Sequence, residues 1–311
     1  MTNRVRHLPS GPIPLIAPIT VRAPAKINLI LRVLGRRVDG FHNLWSVMQT
    51  VGLEDDIAIR LSQNRADLRL QCNDSSLSTD QTNLVIRAAA AVLQRCERTL
   101  GLDIVLTKRI PMGAGLGGGS SDAAATIIGL NRLLNLGWSA GEMVEVGQAL
   151  GSDVPFFFFA PSAVVTGRGE HVTSVRIKGN RWIVLVNPGF SVETKWAYQE
   201  LSSTWTQVPA LSHHQAVLDW EREISWDQIV HAAENDFEAP VFAAHPDLRA
   251  IKRDLVTQGA DVALLSGSGA TVFGVFRDEA RAKHAHAHFQ QRPQYRVFVV
   301  PTASGPLIAN S

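Results

Sequence analysis

A run of glycine and hydroxyl residues, PMGAGLGGGSSD at residues 111–122, has the composition of an anion-binding loop. Residues 102–110 before it alternate apolar and polar side chains, which predicts a strand, and residues 121–136 after it have the pattern of a packed helix. Glycines let backbone N–H groups turn toward one point, and the first turn of a helix adds unpaired donors and a partial positive charge. The sequence therefore predicts a phosphate-binding loop at this strand–helix junction.

Other kinds of glycine turn fit the run less well. A Walker A loop needs a lysine and then Ser or Thr directly after its last glycine, whereas Gly119 is followed by two serines. The first glycines match the GxGxxG pattern of a dinucleotide-binding turn, but that fold also needs a second strand ending in Asp or Glu about 20 residues later. Residues 138–142, WSAGE, instead predict a loop and a capping box. A purely structural glycine turn is the remaining alternative.

Composition indicates an enzyme-sized globular protein. A length of 311 residues with 45% hydrophobic and 19% charged residues suffices for two packed domains. A net charge of +2 without a basic tract indicates no nucleic-acid partner, and no apolar run is long enough for a membrane span. Cys72 and Cys96 lack metal-ligand spacing and a secretory signal, so we expect free thiols and a cytoplasmic location. The sequence does not specify an oligomeric state.

The periodicity predicts an α+β chain in two domains after a proline-rich, flexible extension at residues 1–20. In a first domain, residues 21–166, it predicts strands at 25–34, 44–53, 57–61, 68–72, 102–108 and 155–159, and helices at 83–96, 121–136 and 139–150. In a second domain, residues 167–311, it predicts strands at 182–186, 260–265, 271–276 and 296–300, and helices at 226–235, 246–258 and 278–290. The second set has the order of a split βαβ sheet.

Two charged residues stand in apolar surroundings that suit catalysis. Lys26 and Asn28 are two apart on a predicted strand, so their side chains emerge on the same face. Asp153 follows a helix stop at Gly151 and precedes Pro155, which places a carboxylate in a tight turn beside apolar surface. On local pattern alone, a rim lysine is the better interpretation of Lys26, and a turn-forming or N-cap aspartate is an equally good interpretation of Asp153.

The glycine run with its following alanines resembles the second motif of the GHMP small-molecule kinases. APAKINL at 23–29, GRRVDGFHNL at 35–44 and GSDVPFFF at 151–158 resemble motifs of the branch of that family that phosphorylates a cytidine diphosphate derivative of methylerythritol. NDFE at 235–238 and SGSGAT at 266–271 extend the resemblance over nearly the whole chain. The resemblance implies a ribosomal-protein-S5-like N-terminal domain, a ferredoxin-like C-terminal domain and an active site in the cleft between them.

The resemblance also implies a mechanism. Asp153 would accept the proton of the substrate hydroxyl as it attacks the γ-phosphate of ATP, and Lys26 would keep this carboxylate ionised and orient the hydroxyl. Loop amides would bind the phosphates of ATP, with Ser120 or Ser121 near Mg²⁺, although the metal ligands are not determined. The expected ATP-binding residues are Pro111, Met112, Gly113, Ala114, Gly115, Leu116, Gly117, Gly118, Gly119, Ser120, Ser121, Asn83 and Lys108. For Asn83 and Lys108, a helix-start asparagine and a surface lysine are alternative interpretations.

Substrate recognition is expected from Phe41 and His42. In the resembled kinases an aromatic ring stacks on cytosine and a histidine reads its hydrogen-bonding edge; here phenylalanine stands where tyrosine is commoner, so the stacking face is kept and the phenolic hydrogen bond is absent. A histidine buried in the core or in a turn is the alternative for His42. Asn28 and Thr194 complete the expected substrate-binding set.

Rival functions remain open from the residues alone. A GHMP kinase for another alcohol, such as homoserine or mevalonate, would share the glycine loop, and a nicotinamide-dependent oxidoreductase would account for GxGxxG. A noncatalytic nucleotide-binding module is disfavoured by the joint presence of Lys26 and Asp153. A metal site is conceivable at three histidines on one predicted helix, His284, His286 and His288. Because no acidic or cysteine ligand accompanies them, a solvated helix face is the better interpretation.

Overall fold

Two long antiparallel strands form the centre of the molecule. The protein is described by a computed structural model that covers residues 17–63, 67–205, 210–218 and 222–302. In it, β1 (Ile19–Arg36) pairs with β2 (His42–Leu61) along nearly its whole length. One face of the pair packs on helices of the first domain and the other face packs on the second domain, so the middle of both strands is buried on both sides. Most of the predicted extension at 1–20, residues 1–16, lies outside the described residues.

The first sheet is mainly antiparallel. Its other strands are β3 (Leu68–Cys72), β4 (Leu102–Thr107), β5 (Ser162–Gly167) and β6 (His171–Ser174), in the order β3-β4-β2-β5-β6. The helices α1 (Leu84–Arg95), α2 (Gly118–Leu133) and α3 (Ala140–Gly147) contribute to the core on one side of it. Because only β3 and β4 pair in parallel among the described strands of this sheet, they do not form the parallel sheet that a dinucleotide-binding turn requires.

Three sequence predictions differ from this sheet. The predicted strands at 44–53 and 57–61 are one continuous strand, β2, since the acidic stretch between them stays paired with β1. The sequence predicts a strand at residues 155–159, and this prediction is wrong: Pro155–Phe158 form a 3₁₀ helix. Proline suits the first turn of a helix. A run of four apolar residues predicts that their side chains are buried, as they are, but it does not distinguish a strand from a helix. The sheet also continues beyond the predicted boundary at residues 166–167, because β6 pairs with β5.

The second domain has a four-stranded antiparallel sheet of ferredoxin-like order. Its strands are β8 (Trp182–Asn187), β10 (Val262–Leu265), β11 (Val272–Phe276) and β12 (Arg296–Pro301), in the order β10-β11-β8-β12, while β7 (Arg176–Lys178) pairs separately with β9 (Glu223–Ser225). Its helices are α4 (Thr194–Ser203), α5 (His213–Leu218), α6 (Trp226–Ala232), α7 (Glu238–Ala244), α8 (Pro246–Thr257) and α9 (Glu279–Gln290). The split βαβ prediction is therefore confirmed. Within the described ranges, no helix has the length and apolarity to cross a membrane.

A buried charge network joins β1 to the segment after α6. The guanidinium of Arg32 donates to Asp236 at 2.9 Å, to Glu234 at 3.0 Å and to Gln215 at 2.7 Å. The other oxygen of Asp236 accepts the backbone N–H of Val33 at 2.7 Å. Asp236 is the buried counter-charge of the buried Arg32, whereas the second carboxylate, that of Glu234, is half exposed to water.

Replacing Asp236 by alanine should therefore destabilise the fold. Asp236→Ala leaves the buried guanidinium of Arg32 with only the half-exposed Glu234 as a counter-charge and leaves the backbone N–H of Val33 without its acceptor. We therefore expect a loss of about 3 kcal/mol of unfolding free energy. Asp261→Ala, which removes the partner of the exposed Arg277, is the control and should cost less than about 1 kcal/mol. Urea unfolding of both variants measures the difference, and equal losses would contradict the role of the Arg32 network.

Candidate active site

The glycine-rich loop enters α2 through a residue without a side chain. Gly117, the N-cap of α2, has φ +68°, a conformation that favours glycine. A Cβ at this position would lie 2.9 Å from Cγ of Lys26, so the lysine side chain passes directly against the loop backbone. Since Gly117 offers no capping oxygen, the first N–H groups of α2 are left for a ligand, as predicted for a phosphate-binding loop.

Three successive carbonyl groups of the loop are held from outside it. The oxygen of Ala114 accepts the N–H of Thr271 at 3.2 Å, that of Gly115 accepts the Ser266 hydroxyl at 3.0 Å, and that of Leu116 accepts the N–H of Lys26 at 2.9 Å. The loop is thereby clamped between β1 and the SGSGAT segment of the second domain.

The SGSGAT segment approaches the glycine loop so closely that Gly115 has no room for a side chain. A Cβ on Gly115 would lie 2.0 Å from the carbonyl oxygen of Ser266. Behind this contact, the amide of Asn235 donates to the carbonyl oxygens of Leu265 and Gly267 at 2.7 and 2.8 Å. Asn235 of the NDFE motif thus supports the segment that holds the glycine loop.

A cavity of about 420 Å³ lies over the loop. Its volume falls in the usual range of small-molecule sites. It is lined by Leu77, Ser78, Thr82, Asn83, Leu84, Lys108, Asp122 and the loop residues 111–120. The structure therefore brings together the predicted ATP-binding residues except Ser121, whose side chain is fully buried in α2.

Asn83 and Lys108 have structural partners as well as a place in this cavity. Asn83 is the N-cap of α1, where its side chain accepts the N–H of Val85, so its interpretation as a helix-start residue is confirmed. The side chain of Lys108 is only 6% exposed and its ammonium donates to Asp55 at 2.5 Å and to Asp122 at 2.8 Å, so the surface-lysine interpretation is wrong.

Two buried carboxylates, those of Asp55 and Asp122, share the single cation of Lys108. Burial opposes protonation of Lys108, but the charges of Asp122 and Asp55 outweigh it and raise the lysine pKa. Burial, with the charge of Asp55, raises the pKa of Asp122 to about 7 against the pull of Lys108. One oxygen of Asp55 also accepts the N–H groups of Arg109 and Ile110, which fixes the start of the glycine loop.

The ammonium of Lys26 contacts the carboxylate of Asp153. Lys26, 4% exposed, lies 3.3 Å from Asp153, whose side chain is 30% exposed in the turn before the 3₁₀ helix. Lys26 also donates to the amide oxygen of Asn28 at 2.8 Å, and Asn28 donates to Ser46 at 2.9 Å. Asn28 is buried behind Lys26, which it holds toward Asp153. A buried cation and a half-exposed carboxylate in contact form a suitable general-base pair.

A larger cavity of about 1010 Å³ lies beside this pair and has an aromatic wall. The imidazole of His42 stacks on Tyr198 at a centroid distance of 4.8 Å and meets Trp205 edge-on at 5.7 Å. Burial, and then the charge of Arg36, lowers the pKa of His42, so the ring is neutral near pH 7. Its Nε2 is buried and has no hydrogen-bond partner among the described residues.

The ring of Phe41 is 55% exposed at the edge of this cavity, with the guanidinium of Arg168 at 5.0 Å from its centre. Thr194 lines the same cavity and its hydroxyl lies 2.9 Å from that of Ser268 in the SGSGAT segment. The structure thus brings Phe41, His42 and Thr194 to one cavity.

Sequence reasoning missed Tyr198. Burial, and then the charge of Asp153, raises the pKa of its phenol to about 12. Tyr198 lies on α4, a helix that the sequence analysis does not predict because its ten residues mix polar and apolar side chains without a clear period. The tyrosine follows Thr194 by four positions and therefore shares the helix face of that residue. That spacing was the available signal.

The raised pKa of Asp122 predicts a pH dependence of stability. The folded protein keeps this proton up to about pH 7, whereas the ordinary carboxyl value is 3.8, so ionisation of Asp122 costs stability as pH rises through that interval. Asp122→Asn removes this cost. We expect the unfolding free energy of the variant relative to the unchanged protein to increase between about pH 4 and pH 7 and to level off above that range, measured by urea unfolding. A constant difference would exclude the titration.

Comparisons with known proteins agree with this geometry. Residues 83–160 match the GHMP kinases N terminal domain, and residues 218–293 match the GHMP kinases C terminal domain. The chain is 43% identical over 282 residues to the 4-diphosphocytidyl-2-C-methyl-D-erythritol kinase of Syntrophotalea carbinolica, covering 89% of this chain and 96% of that relative. It is 39% identical over 296 residues to the kinase of the same name from Heliobacterium modesticaldum, covering 90% and 94%.

Solved structures give the same result. A crystal structure of 4-(cytidine 5'-diphospho)-2C-methyl-D-erythritol kinase superposes with a TM-score of 0.75 at 29% identity, over 92% of this chain and all of that one. Homoserine kinase from Cytophaga hutchinsonii has a TM-score of 0.70 at 20% identity, over 93% and 95%, and shares the fold. The clamped glycine loop, the lysine–aspartate pair and these relatives lead to one conclusion: the chain belongs to the GHMP kinase family, among the 4-diphosphocytidyl-2-C-methyl-D-erythritol kinases.

Proposed function

We propose that this enzyme transfers the γ-phosphoryl group of ATP to the 2-hydroxyl of 4-diphosphocytidyl-2-C-methyl-D-erythritol, giving the 2-phosphate and ADP in non-mevalonate isoprenoid biosynthesis. The observation that carries the proposal is the contact between Lys26 and Asp153 at the junction of the two cavities. Ser120 of the loop cavity and Gly151 of the larger cavity approach closely, since a Cβ on Gly151 would lie 3.6 Å from the Ser120 hydroxyl. A phosphate in one cavity and an alcohol in the other would therefore meet beside Asp153.

The proton of the attacking hydroxyl goes to Asp153. The hydroxyl oxygen bonds to the γ-phosphorus, the bond from that phosphorus to the bridging oxygen breaks, and ADP leaves with the electron pair. Lys26 stabilises the carboxylate before this step and can donate to the hydroxyl oxygen during it. Because phosphoryl transfer needs little covalent help from a protein, holding these groups in line supplies most of the effect.

The loop amides bind the phosphates of ATP. With the carbonyl groups of residues 114–116 held by Thr271, Ser266 and Lys26, the N–H groups at the start of α2 are free to donate to anionic oxygens. Mg²⁺ bound to ATP would neutralise charge on the transferred group, and Mg²⁺ takes most of its ligands from phosphates and water. Ser120, half-buried at the loop cavity, fits the role of the single hydroxyl near that ion.

The aromatic cavity favours a pyrimidine over the aliphatic substrates of other GHMP kinases. The unpaired Nε2 of His42 is a hydrogen-bonding group without a partner in the described protein, and a base edge would satisfy it. Phe41 offers an exposed ring for stacking, and Thr194 lies on the same wall. Homoserine and mevalonate have neither a ring to stack on Phe41 nor a base edge to pair with His42.

We also assign the reaction to the cytoplasm. Cys72 and Cys96 are both free thiols, which fits a reducing compartment.

The first experiment measures ADP release with MgATP and one of three acceptors. The purified protein should turn over with 4-diphosphocytidyl-2-C-methyl-D-erythritol and should give only the background rate with homoserine, mevalonate or no acceptor. Turnover with one of the other alcohols instead would overturn the substrate while leaving the kinase family intact.

Replacing the base tests the mechanism. Asp153→Asn removes the proton acceptor while keeping the shape of the side chain, so we expect turnover to fall by about 10²–10⁴-fold. ATP binding, measured by calorimetry, should change little because the loop cavity is not altered. Near-normal turnover would remove Asp153 from the role of base.

A further inference from the structure

The larger cavity carries an excess of positive charge that the proposed mechanism does not use. Among the described residues that line it are Arg36, Arg168 and Lys195, against one acidic residue, Glu170. His42 is neutral near pH 7 because burial, and then the charge of Arg36, lowers its pKa. The cavity therefore presents a net positive field to whatever occupies it.

Arg168 is held in position by the turn between β5 and β6. Gly169, the next residue, has φ +124°, and a Cβ there would lie 2.6 Å from the carbonyl oxygen of Ser152. The turn therefore packs directly against the residue before Asp153. From this position the guanidinium of Arg168 lies over the ring of Phe41, 5.0 Å from its centre. Arg168 therefore connects the turn that precedes Asp153 with the ring of Phe41.

Glu170 pairs only loosely with the guanidinium of Arg168. Its carboxylate accepts the backbone N–H of Arg168, and it folds over Gly167, where a Cβ would lie 2.5 Å from the carboxylate. The separation between this carboxylate and Nε of Arg168 is 4.0 Å, at the limit of an ion pair. Glu170 thus stabilises the turn and leaves the guanidinium donors available to a ligand.

The proposed substrate has an anionic group that must lie near Arg168. With the pyrimidine at Phe41 and His42 and the reacting hydroxyl at Asp153, the diphosphate that links them has to pass along the wall between these two points. Arg168 stands on that wall, and Lys195 follows Thr194 on α4 across the same cavity. A planar guanidinium can bind phosphate oxygens in a bidentate manner while its face stays on an aromatic ring.

Resting on the proposed function, we infer that Arg168 and Lys195 bind the diphosphate of the substrate and so select a nucleoside diphosphate ester over a nucleoside. Arg168 makes the directed contact and Lys195 adds charge from the opposite element. In this arrangement Phe41 serves both as a stacking surface for the base and as the support of the guanidinium.

Binding of cytidine diphosphate and of cytidine, each alone, tests the inference by calorimetry. The unchanged protein should bind cytidine diphosphate more tightly than cytidine. Arg168→Met should weaken the diphosphate by about tenfold, the effect of losing a hydrogen bond to a charged group, and should leave cytidine unchanged; Lys195→Met should act in the same direction. Arg249→Met, an exposed arginine on α8 away from the cavity, is the matched control and should change neither affinity.

The outcomes separate this inference from the proposed function. Equal weakening of both ligands in Arg168→Met would mean that the arginine only supports Phe41, and no weakening would mean that it does not touch the diphosphate; either result overturns the inference. In kinetics, the KM for the cytidylyl substrate should rise more than kcat falls, while the KM for ATP stays constant. If the unchanged protein turns over and the KM for the cytidylyl substrate is unaltered in Arg168→Met, this inference alone is overturned. If the unchanged protein shows no turnover, the inference and the proposed function are both overturned.

Discussion

The buried ammonium group of Lys26 imposes the constraint on which the site depends. A charge with so little access to water must be paired and hydrogen-bonded, and two elements of the first domain meet this need: Asn28 on the same strand and Asp153 from the turn before the 3₁₀ helix. The lysine side chain runs against Gly117, so the loop can approach only because that residue has no Cβ. Neutralising one cation therefore brings the carboxylate of Asp153 and the glycine-rich loop together.

The second domain completes the arrangement through backbone contacts. Ser266 and Thr271 hold loop carbonyls, and Asn235 holds the SGSGAT segment from behind. The Arg32–Asp236 pair fixes the segment that carries Asn235 to β1, the same strand that carries Lys26. One strand, β1, thus carries both the lysine that contacts Asp153 and the arginine that attaches the second domain.

Much of the site could be predicted from sequence because its requirements are local. Left-handed glycines, a proline after a turn and a lysine two positions from an asparagine leave direct marks in the chain. The 3₁₀ helix at Pro155–Phe158 could not be separated from a strand, since both bury a run of phenylalanines. The pairing of Lys108 with Asp55, 53 positions away, and the stacking of Tyr198 on His42 arise from tertiary contacts that no local pattern records.

The clamped carbonyl groups of the glycine loop have a consequence for the energetics of nucleotide binding. A glycine-rich segment normally loses more conformational entropy than any other when it becomes ordered. Here Ala114, Gly115 and Leu116 are already fixed by hydrogen bonds to the rest of the protein, so that loss is incurred during folding and not when the nucleotide arrives. The loop is in effect preorganised, and the free energy of phosphate contacts can be retained as affinity and alignment.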